Sequence, residues 1–369
     1  MRVLFVVTDA DIGGAERLLA TLARSWDEGD VLHLVVVMGP GTLSTELEDA
    51  FESVRYLGYS GSSRNIIGMV RSLEREIVDF GPDVITSHLF HADLLTALAR
   101  SSAVKTTTMH TQRLTKADHP LTRAIARAVG ILSFRFDGVI PSGDSASMMD
   151  FIRQLGMRKV LPPILNGADV PDAASFDPSS RTFLSLARNH PVKGHDVLFA
   201  AFARIADQAP QWSLRAYGPG VDDDDERMRS LVADAGAEQL LAEGRIQLAG
   251  PTARPAEVLQ HGAALVISSK YGESSPLVGA EASGAGVPVI STDVGSCAYF
   301  VDDDRLLVKP DDVDDLARAL ECYTRLSDDE RRSLSVLART RAEERYDPAA
   351  VARRYREAFV GLLADAGKP

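Results

Sequence analysis

The segment LVISSKYGESSPLVGAEASGAGVPVIS, residues 265–291, carries the pattern from which the fold can be predicted. Its first apolar run, 265–268, predicts a buried strand, and the apolar stretch that leads to Glu281 predicts a helix. Glycines and a proline at 284–288 end that helix, and the run Val287–Ser291 predicts the next strand. A strand, a helix and a strand in this order form a βαβ unit, whose two strands lie parallel in one sheet.

The same alternation runs through the chain in two successive series. The first series predicts strands at Val3–Val7, Val31–Met38, Val84–Thr86, Lys105–Met109 and Val139–Pro141. The second series predicts strands at Phe183–Ala187, Ser213–Tyr217, Ile246–Leu248, Leu265–Ser268 and Val287–Ser291. Helical patterns lie between the strands, at Ala15–Ser25, Ile66–Phe80, Asp93–Arg100, Val197–Ala209 and Asp312–Leu326. We therefore predict an α/β fold with two Rossmann-like, doubly wound domains that face each other across a cleft.

A hinge separates the two series. Residues 162–169, PPILNGAD, contain two prolines and a glycine, and a polar segment follows at 172–180. This pattern places the first domain over residues 1–165 and starts the second domain at residue 166. Ligands of such sheets bind beyond the carboxyl ends of the strands, so the loops that follow strands are the places to search for functional residues.

Composition excludes several classes of protein. The 369 residues carry a net charge of -12 and a pI of about 5.2, which argues against nucleic-acid binding. Cys297 and Cys322 are the two cysteines, which is neither a disulfide framework nor a metal cluster and suits a reducing cytosol. The chain enters the strand-like run Val3–Val7 without a signal-peptide core, and no run of 18 apolar residues occurs. We expect a cytoplasmic protein whose membrane contact, if any, is peripheral.

Two glutamates flank the start of the helix predicted in the quoted segment. Free amide groups and the positive end of the helix dipole make such a start a seat for a diphosphate. Contacts to the diphosphate part of a ligand are therefore predicted at Ser274, Ser275, Pro276 and Leu277, with Pro276 in the first helical turn. Glu273 is placed to reach sugar hydroxyls, and Glu281, about two turns in, to accept two hydrogen bonds from a ribose. The alternative is that both are exposed surface residues.

Two further loops that follow strands contain residues that could bind the same ligand. Arg188 and Lys193 can clamp a diphosphate leaving group, since arginine donates two parallel hydrogen bonds and lysine brings a mobile charge. A solvated basic loop is the alternative. Gly13 and Gly14 follow the first strand and allow close backbone approach to a ligand, although an ordinary turn has the same composition. The spacing differs from G-x-G-x-x-G, which argues against a dehydrogenase.

Histidines cluster in the first domain. His110 follows the predicted strand Lys105–Met109 and is the catalytic candidate, because an imidazole can hydrogen-bond a sugar or stabilise developing positive charge. His88, His91 and Arg113 are candidates for the acceptor pocket. The alternative is that the histidines are structural. A zinc site is not predicted, because no fourth ligand or cysteine accompanies them.

These motifs resemble those of the family 4 retaining glycosyltransferases, which have the GT-B fold. The E-x7-E signature of that family is similar to Glu273–Glu281 with the following ASGAGVPV. Other family motifs resemble the loop Arg188-x4-Lys193-Gly194, the Gly-Gly-x-Glu loop 13–16, His110, the turn 218–220, the loop 294–296 and the interdomain Asn166-Gly167-Ala168-Asp169. Two departures leave the donor sugar open: Ser274-Ser275 replace a Gly-aromatic pair, and Cys297-Ala298-Tyr299 stand where an acid is common.

The resemblance implies a hexosyltransferase that moves a sugar from a nucleoside diphosphate to a hydroxyl acceptor. It implies retention of the anomeric configuration, with no metal ion and no cofactor. His110, Glu273, Arg188 and Lys193 would be catalytic, and donor contacts would come from Gly13, Gly14, Gly218, Ser274, Ser275, Pro276, Leu277 and Glu281. The donor domain would span 166–345, and residues 346–369 would form a helix that crosses back onto the first domain.

The acceptor is left open among a glycan, a glycolipid or lipid-linked precursor, and a small-molecule glycoside, with polysaccharide biosynthesis as the expected setting. Residues 120–136 predict a basic amphipathic helix. We hypothesise that it contacts an anionic inner membrane face or a lipid-diphosphate acceptor, the alternative being a core-packed helix with solvated arginines. Two other functions compete with transfer: a GT-B-fold epimerase of UDP-sugars and a non-catalytic sugar-nucleotide-binding protein.

Overall fold

The protein is represented by a computed structural model that describes residues 1–11, 13–60, 63, 65–115, 119–143, 145–168, 170–171, 174, 176–252 and 254–367. Ile12 of the first glycine loop, Asp169 of the hinge motif, and Asp172, Ala173 and Ser175 of the polar segment lie outside the described residues. The chain divides into two compact units. The first consists of Met1–Gly167 with the C-terminal segment from Pro348, and the second is Ala168–Asp347.

The first unit is built on a parallel sheet. Its strands, in the part of the chain that the structure describes, are β1 Arg2–Val7, β2 Val31–Val36, β3 Ser53–Tyr56, β4 Val84–His88, β5 Val104–Met109 and β6 Gly138–Pro141. Its helices are α1 Gly14–Arg24, α2 Ser44–Ala50, α3 Ile66–Phe80, α4 Phe90–Leu98, α5 Pro120–Leu132, α6 Ala146–Gln154 and, at the C-terminus, α14 Pro348–Asp365. The order β3-β2-β1-β4-β5-β6 is that of a doubly wound nucleotide-binding sheet.

Alternate residues of β1 explain why helices cover both faces of this sheet. Val3, Phe5 and Val7 belong to one core cluster, in which they are buried with residues of α1 and α14. Leu4 and Val6 point the other way and join a second core cluster with residues of α3 and α4. A strand that is apolar at every position is therefore buried on both sides, as expected in a parallel sheet.

The second unit repeats the plan. Its described strands are β7 Thr182–Leu186, β8 Ser213–Tyr217, β9 Ile246–Leu248, β10 Ala264–Ile267, β11 Val289–Thr292 and β12 Leu307–Val308, in the order β12-β11-β10-β7-β8-β9. Its helices are α7 His195–Ile205, α8 Glu226–Asp234, α9 Glu238–Ala242, α10 Pro255–Leu259, α11 Leu277–Gly284, α12 Val313–Thr324 and α13 Asp328–Arg345. The prediction of an α/β fold with two Rossmann-like sheets is confirmed.

Sequence patterns missed two strands, and one predicted helix has a different end in the structure. β3 was missed because Ser53 and Arg55 are exposed, so the strand has no continuous apolar run. β12 has two residues, which is too short for any periodicity. The helix predicted over 120–136 ends at Leu132 and continues as a 3-10 turn, Ser133–Arg135. Among the described residues, the helices lack the combination of length and apolar character needed to cross a bilayer.

Candidate functional site

Loops that follow β7, β8 and β10 meet at the carboxyl edge of the second sheet. The amide of Lys270 donates to the carbonyl of Val192 at 2.7 Å, and the Ser268 hydroxyl donates to the carbonyl of Lys193 at 2.9 Å. The amide of Asn189 donates to the Pro219 carbonyl at 2.9 Å. Because β10, β7 and β8 are neighbours in the sheet, these bonds bring the basic loop, the Gly218 turn and the glutamate loop together.

Two glycines make this close approach possible. Gly194 has φ +66°, and a Cβ at this position would collide with the Ser268 carbonyl. Gly218 has φ +149°, and a Cβ there would collide with the Ala187 carbonyl. Both the left-handed backbone and the missing side chain are therefore needed where the loops cross. Gly218 was predicted as a donor contact, and the structure assigns it this packing role as well.

Lys193 and Glu273 form a partly buried ion pair at the centre of these loops. The Lys193 Nζ lies 2.6 Å from Oε1 of Glu273, and the Ser269 hydroxyl donates to the same oxygen at 2.5 Å. The Glu273 residue is 7% exposed. Burial by itself raises the pKa of Glu273, but the charges and hydrogen bonds of Lys193, Ser269 and Arg188 together hold it below its ordinary value. Glu273 is thus an ionised carboxylate that is paired with Lys193 and further stabilised by the charge of Arg188.

The helix after this loop begins one residue later than predicted. Pro276 precedes α11 as its N-cap residue, with φ -66° and ψ 121°, and the helix starts at Leu277. Glu281 is consequently the fifth residue of α11, just over one turn in rather than two. The amide of Ser296 donates to the Ser274 carbonyl at 3.1 Å and ties the loop after β11 to the helix start.

In the first unit, the glycine loop contains an acid, Glu16, that was named in the motif but given no role. Gly13 is the N-cap residue of α1, which begins at Gly14. The carboxylate of Glu16 folds back to the space that a Cβ of Gly13 would occupy. Burial raises the pKa of Glu16 to about 7, with Asp9 and Asp11 adding to the rise. A buried acid with a raised pKa therefore lies beside the predicted glycine contacts.

The predicted histidines lie at the carboxyl ends of β4 and β5. Nδ1 of His88 lies 2.9 Å from Nε2 of His110, and their rings stack at 5.2 Å with an interplanar angle of 28°. Burial lowers the pKa of His110 to about 4, and burial followed by the charge of His110 lowers the pKa of His88 well below its usual range. His88 has no exposed surface with which to touch an acceptor. His91 on α4 is half-buried, and Arg113 is exposed in the loop after β5.

Asp93 is a second buried acid that sequence reasoning missed. Ser87 and Thr107 donate their hydroxyls to its Oδ1 at 2.7 Å and 2.8 Å. Burial raises the pKa of Asp93 to about 7 despite these two hydrogen bonds. Within the described part of the chain, no group of three or more His, Cys, Asp or Glu residues is arranged to hold a metal ion.

Two family models match the chain. The Glycosyltransferase Family 4 model matches residues 12–170, and the Glycosyl transferases group 1 model matches residues 180–325. Each model covers one of the two Rossmann-like units. The chain therefore belongs to the family 4 glycosyltransferases of GT-B fold.

Curated relatives match part of the chain. An exopolysaccharide phosphotransferase of Streptomyces coelicolor is 32% identical over 172 residues, which is 44% of this chain and 17% of that protein. A D-inositol 3-phosphate glycosyltransferase of Corynebacterium efficiens is 32% identical over 154 residues, which is 40% of this chain and 35% of that protein. The matched regions thus span about a third or less of the length of these relatives.

Solved structures share the whole fold at low identity. HepE of Anabaena, solved in complex with UDP, has a TM-score of 0.79 and 20% identity, with 98% of this chain and 100% of that chain covered. Sucrose-phosphate synthase of Thermosynechococcus elongatus has a TM-score of 0.76 and 18% identity, with 99% and 100% covered. At these identities the likeness establishes the GT-B fold.

Proposed function

We propose that the protein transfers a sugar from a nucleoside diphosphate to a hydroxyl acceptor, with retention of configuration and without a metal ion. The observation that carries this proposal is the cluster of Arg188, Lys193 and Glu273 at the carboxyl edge of the second sheet. A leaving diphosphate needs cationic stabilisation, and the cluster supplies it from fixed side chains. The amide groups at the start of α11 add to that stabilisation.

Glu273 has two tasks in this scheme. Its charge holds the Lys193 ammonium in place, and we place the donor sugar beside its carboxylate. Glu281 accepts hydrogen bonds from the ribose of the donor. HepE is solved with UDP and with UDP-glucose, which makes uridine diphosphate sugars the first donors to test.

The first unit supplies the acceptor site in this proposal. His110 is kept neutral by burial, so it is available for a hydrogen bond to the sugar. No side chain is assigned as a nucleophile, and the leaving diphosphate takes the proton of the acceptor hydroxyl. His91 and Arg113 follow β4 and β5 along the chain and are proposed as acceptor contacts.

The test begins with a thermal-shift screen of UDP-, GDP-, ADP- and dTDP-sugars, because a bound donor raises stability by mass action. Transfer is then measured as release of nucleoside diphosphate that depends on added acceptor, in the presence and absence of EDTA. The anomeric coupling constant of the product, measured by NMR, decides between retention and inversion. Release without transfer, or return of an isomerised donor, would instead support a hydrolase or an epimerase, and an unchanged donor would support a sensor.

We further propose that α5 binds an anionic membrane and presents the protein to a lipid-linked acceptor. One side of α5 is core-packed through Ile125 and Val129. Leu121 in the first turn is exposed at 50% and Ile131 in the last turn at 75%, and Phe134 follows at 55% in the 3-10 turn. Arg127 and Arg135 are exposed on the same segment, so apolar and basic groups occur together as in interfacial helices.

Vesicle co-sedimentation tests this second proposal. Binding to vesicles with acidic phospholipid should fall at least tenfold in the variant Ile131→Asn/Arg127→Glu, since one insertion site and one attractive charge are lost. Val78→Asn on α3 is the control for the apolar substitution, because Val78 is 78% exposed on a helix whose arginines are accompanied by Glu74, Glu76 and Asp79. Equal binding by all three proteins would refute the membrane role.

A further inference from the structure

The hydrogen bond between His88 and His110 restricts which ring nitrogens carry protons. His88 ends β4 and His110 follows β5, and the register of these strands pairs His88 with Thr108. A hydrogen bond of 2.9 Å joins Nδ1 of His88 to Nε2 of His110. Two imidazoles that share such a bond must divide the roles, because one nitrogen donates a proton and the other accepts it.

Both rings are held in the neutral state. His88 is fully buried, and its ring stacks on Phe5 with centroids 6.1 Å apart and an interplanar angle of 23°. Burial lowers the pKa of both histidines, so neither carries a charge near pH 7. Each neutral ring has one N–H donor and one bare nitrogen. The tautomer of one ring therefore decides the tautomer of the other.

The second nitrogen of His88 indicates the direction of the bond. Nε2 of His88 is buried and has no hydrogen-bond partner among the described residues. If His110 donated, His88 would carry its proton on Nε2 and would bury an N–H group without an acceptor. Orphaned buried N–H groups are rarer than orphaned acceptors. The favoured arrangement has His88 donating from Nδ1 and leaves a bare nitrogen at Nε2.

We propose that His88 is a positioning residue that donates from Nδ1 to Nε2 of His110 and thereby fixes the His110 proton on Nδ1. His110 then carries its proton at one defined nitrogen. This inference rests on the proposed role of His110 in transfer and deepens it. His88 itself touches neither substrate, because its ring lies inside the sheet–helix core.

The experiment measures the tautomer directly. Protein labelled with ¹⁵N-histidine is examined by long-range ¹H–¹⁵N correlation NMR, which shows the protonated nitrogen of each ring. We expect His110 to be protonated at Nδ1 in the wild type and to become a mixture of tautomers in His88→Leu. His88→Asn should restore the wild-type state, because its amide nitrogen is bonded to Cγ, as Nδ1 is in histidine. Protonation of wild-type His110 at Nε2, or an unchanged tautomer in His88→Leu, would overturn the inference.

Kinetics supply a second readout that separates positioning from structure. In His88→Leu we expect kcat to fall about tenfold or more with the donor KM unchanged, and to recover in His88→Asn. His33→Leu is the matched control, because His33 is also buried in this unit, packs on Phe80 and bonds to Ser53. It should lower stability and leave kcat and the His110 tautomer unchanged. If the wild type transfers no sugar at all, the proposed function fails, while the NMR result still decides the inference on His88.

Discussion

Glu273 in the second unit and Asp93 in the first are buried carboxyls whose pKa values are shifted in opposite directions. Each accepts a hydrogen bond from a neighbouring serine hydroxyl, and each is almost entirely excluded from water. Glu273 also has the Lys193 ammonium at 2.6 Å, and its pKa lies below the ordinary value. Asp93 has a second hydroxyl, Thr107, in place of a cation, and its pKa rises to about 7. One cation therefore decides whether a buried carboxyl is charged.

The charged groups at the carboxyl edges of the two sheets differ in the same way as these two carboxyls. The loops of the second unit bring Arg188 and Lys193 to an ionised glutamate, which suits the binding of a charged diphosphate. At the carboxyl edge of the first sheet lie neutral histidines and two acids, Asp93 and Glu16, whose pKa values are raised. Buried groups that are kept from charging suit a hydroxyl acceptor in this proposal, whereas the cationic loops of the second unit suit the leaving group.

The largest expected effect comes from making Glu273 resemble Asp93. Lys193→Met removes the cation, so the glutamate loses its charged partner and the leaving diphosphate loses a stabilising charge. We expect kcat to fall by about 10²–10³-fold. Stability should fall by about 2–3 kcal/mol, below the cost of breaking a fully buried pair, because the Lys193 side chain is 24% exposed. Steady-state kinetics and urea denaturation measure the two effects.

Lys270→Met is the control for this prediction. Lys270 lies near the same loops, but it pairs with Asp196 and Asp311, each at 2.7 Å, rather than with Glu273. We expect kcat to change less than threefold. If the two variants lost equal activity, the general charge of the region, and not the Lys193–Glu273 pair, would support the reaction.

The second prediction changes Asp93 to a side chain that cannot ionise. Asp93→Asn keeps an Oδ1 that can accept from Ser87 and Thr107. The folded-state pKa of Asp93, about 7, lies above the ordinary value of 3.8, so the stability it contributes is full at low pH and is lost as pH rises toward 7. The stability of Asp93→Asn relative to wild type should therefore grow by about 1.4 kcal/mol per pH unit between roughly pH 5 and pH 7.

Urea unfolding at a series of pH values measures this difference. Glu16 adds a similar dependence to the wild type, but it is present in both proteins and cancels in the comparison. Asp79→Asn, which changes an exposed carboxyl on α3, is the control and should show no pH-dependent difference. A constant difference between Asp93→Asn and wild type across the range would mean that Asp93 is charged in the folded protein.

Sequence patterns could predict the scaffold of this comparison but not its charge states. Ten of the described strands follow from apolar runs, because a parallel strand buried on both faces is apolar throughout. Lys193 and Glu273 could each be singled out by motif. Their contact spans 80 positions in the chain and exists only because β7 and β10 are neighbours in the sheet.

The burial of Asp93 and the His88–His110 bond could not be predicted from sequence patterns either, because both depend on how separate elements pack together. An aspartate in the first turn of a helix is ordinarily an exposed residue that complements the helix dipole, so Asp93 gave no signal of burial. His88 and His110 lie at the ends of adjacent strands, and sequence alone does not show which of two ring nitrogens faces the neighbour. Side-chain burial, unlike strand periodicity, depends on which elements pack together.

The third prediction concerns the other glutamate of the E-x7-E signature. Glu281→Gln should raise the donor KM about tenfold and leave kcat within threefold, because it weakens a hydrogen bond to the ribose that is present in both ground and transition states. The contrast with Lys193→Met, which acts on kcat, would separate the roles of the two ends of the signature. Glu238→Gln on α9 is the exposed control. A fall in kcat without a change in KM would assign Glu281 to the reacting centre instead.

The smallest expected effect tests why the first glycine loop needs a glycine at position 13. Its backbone, with φ -147° and ψ 165°, is open to any residue, so the requirement is one of space. Gly13→Ala should displace the Glu16 carboxylate, whereas a Glu16→Ala background removes the three atoms that lie nearest to the added methyl group. We expect a coupling of about 1 kcal/mol in the free energy of unfolding between these two changes. Asp11→Ala in place of Glu16→Ala should show none, because its carboxylate lies against Gly41. Equal coupling in both cycles would mean that the alanine disturbs the loop backbone, and Glu16 would lose its assigned place over Gly13.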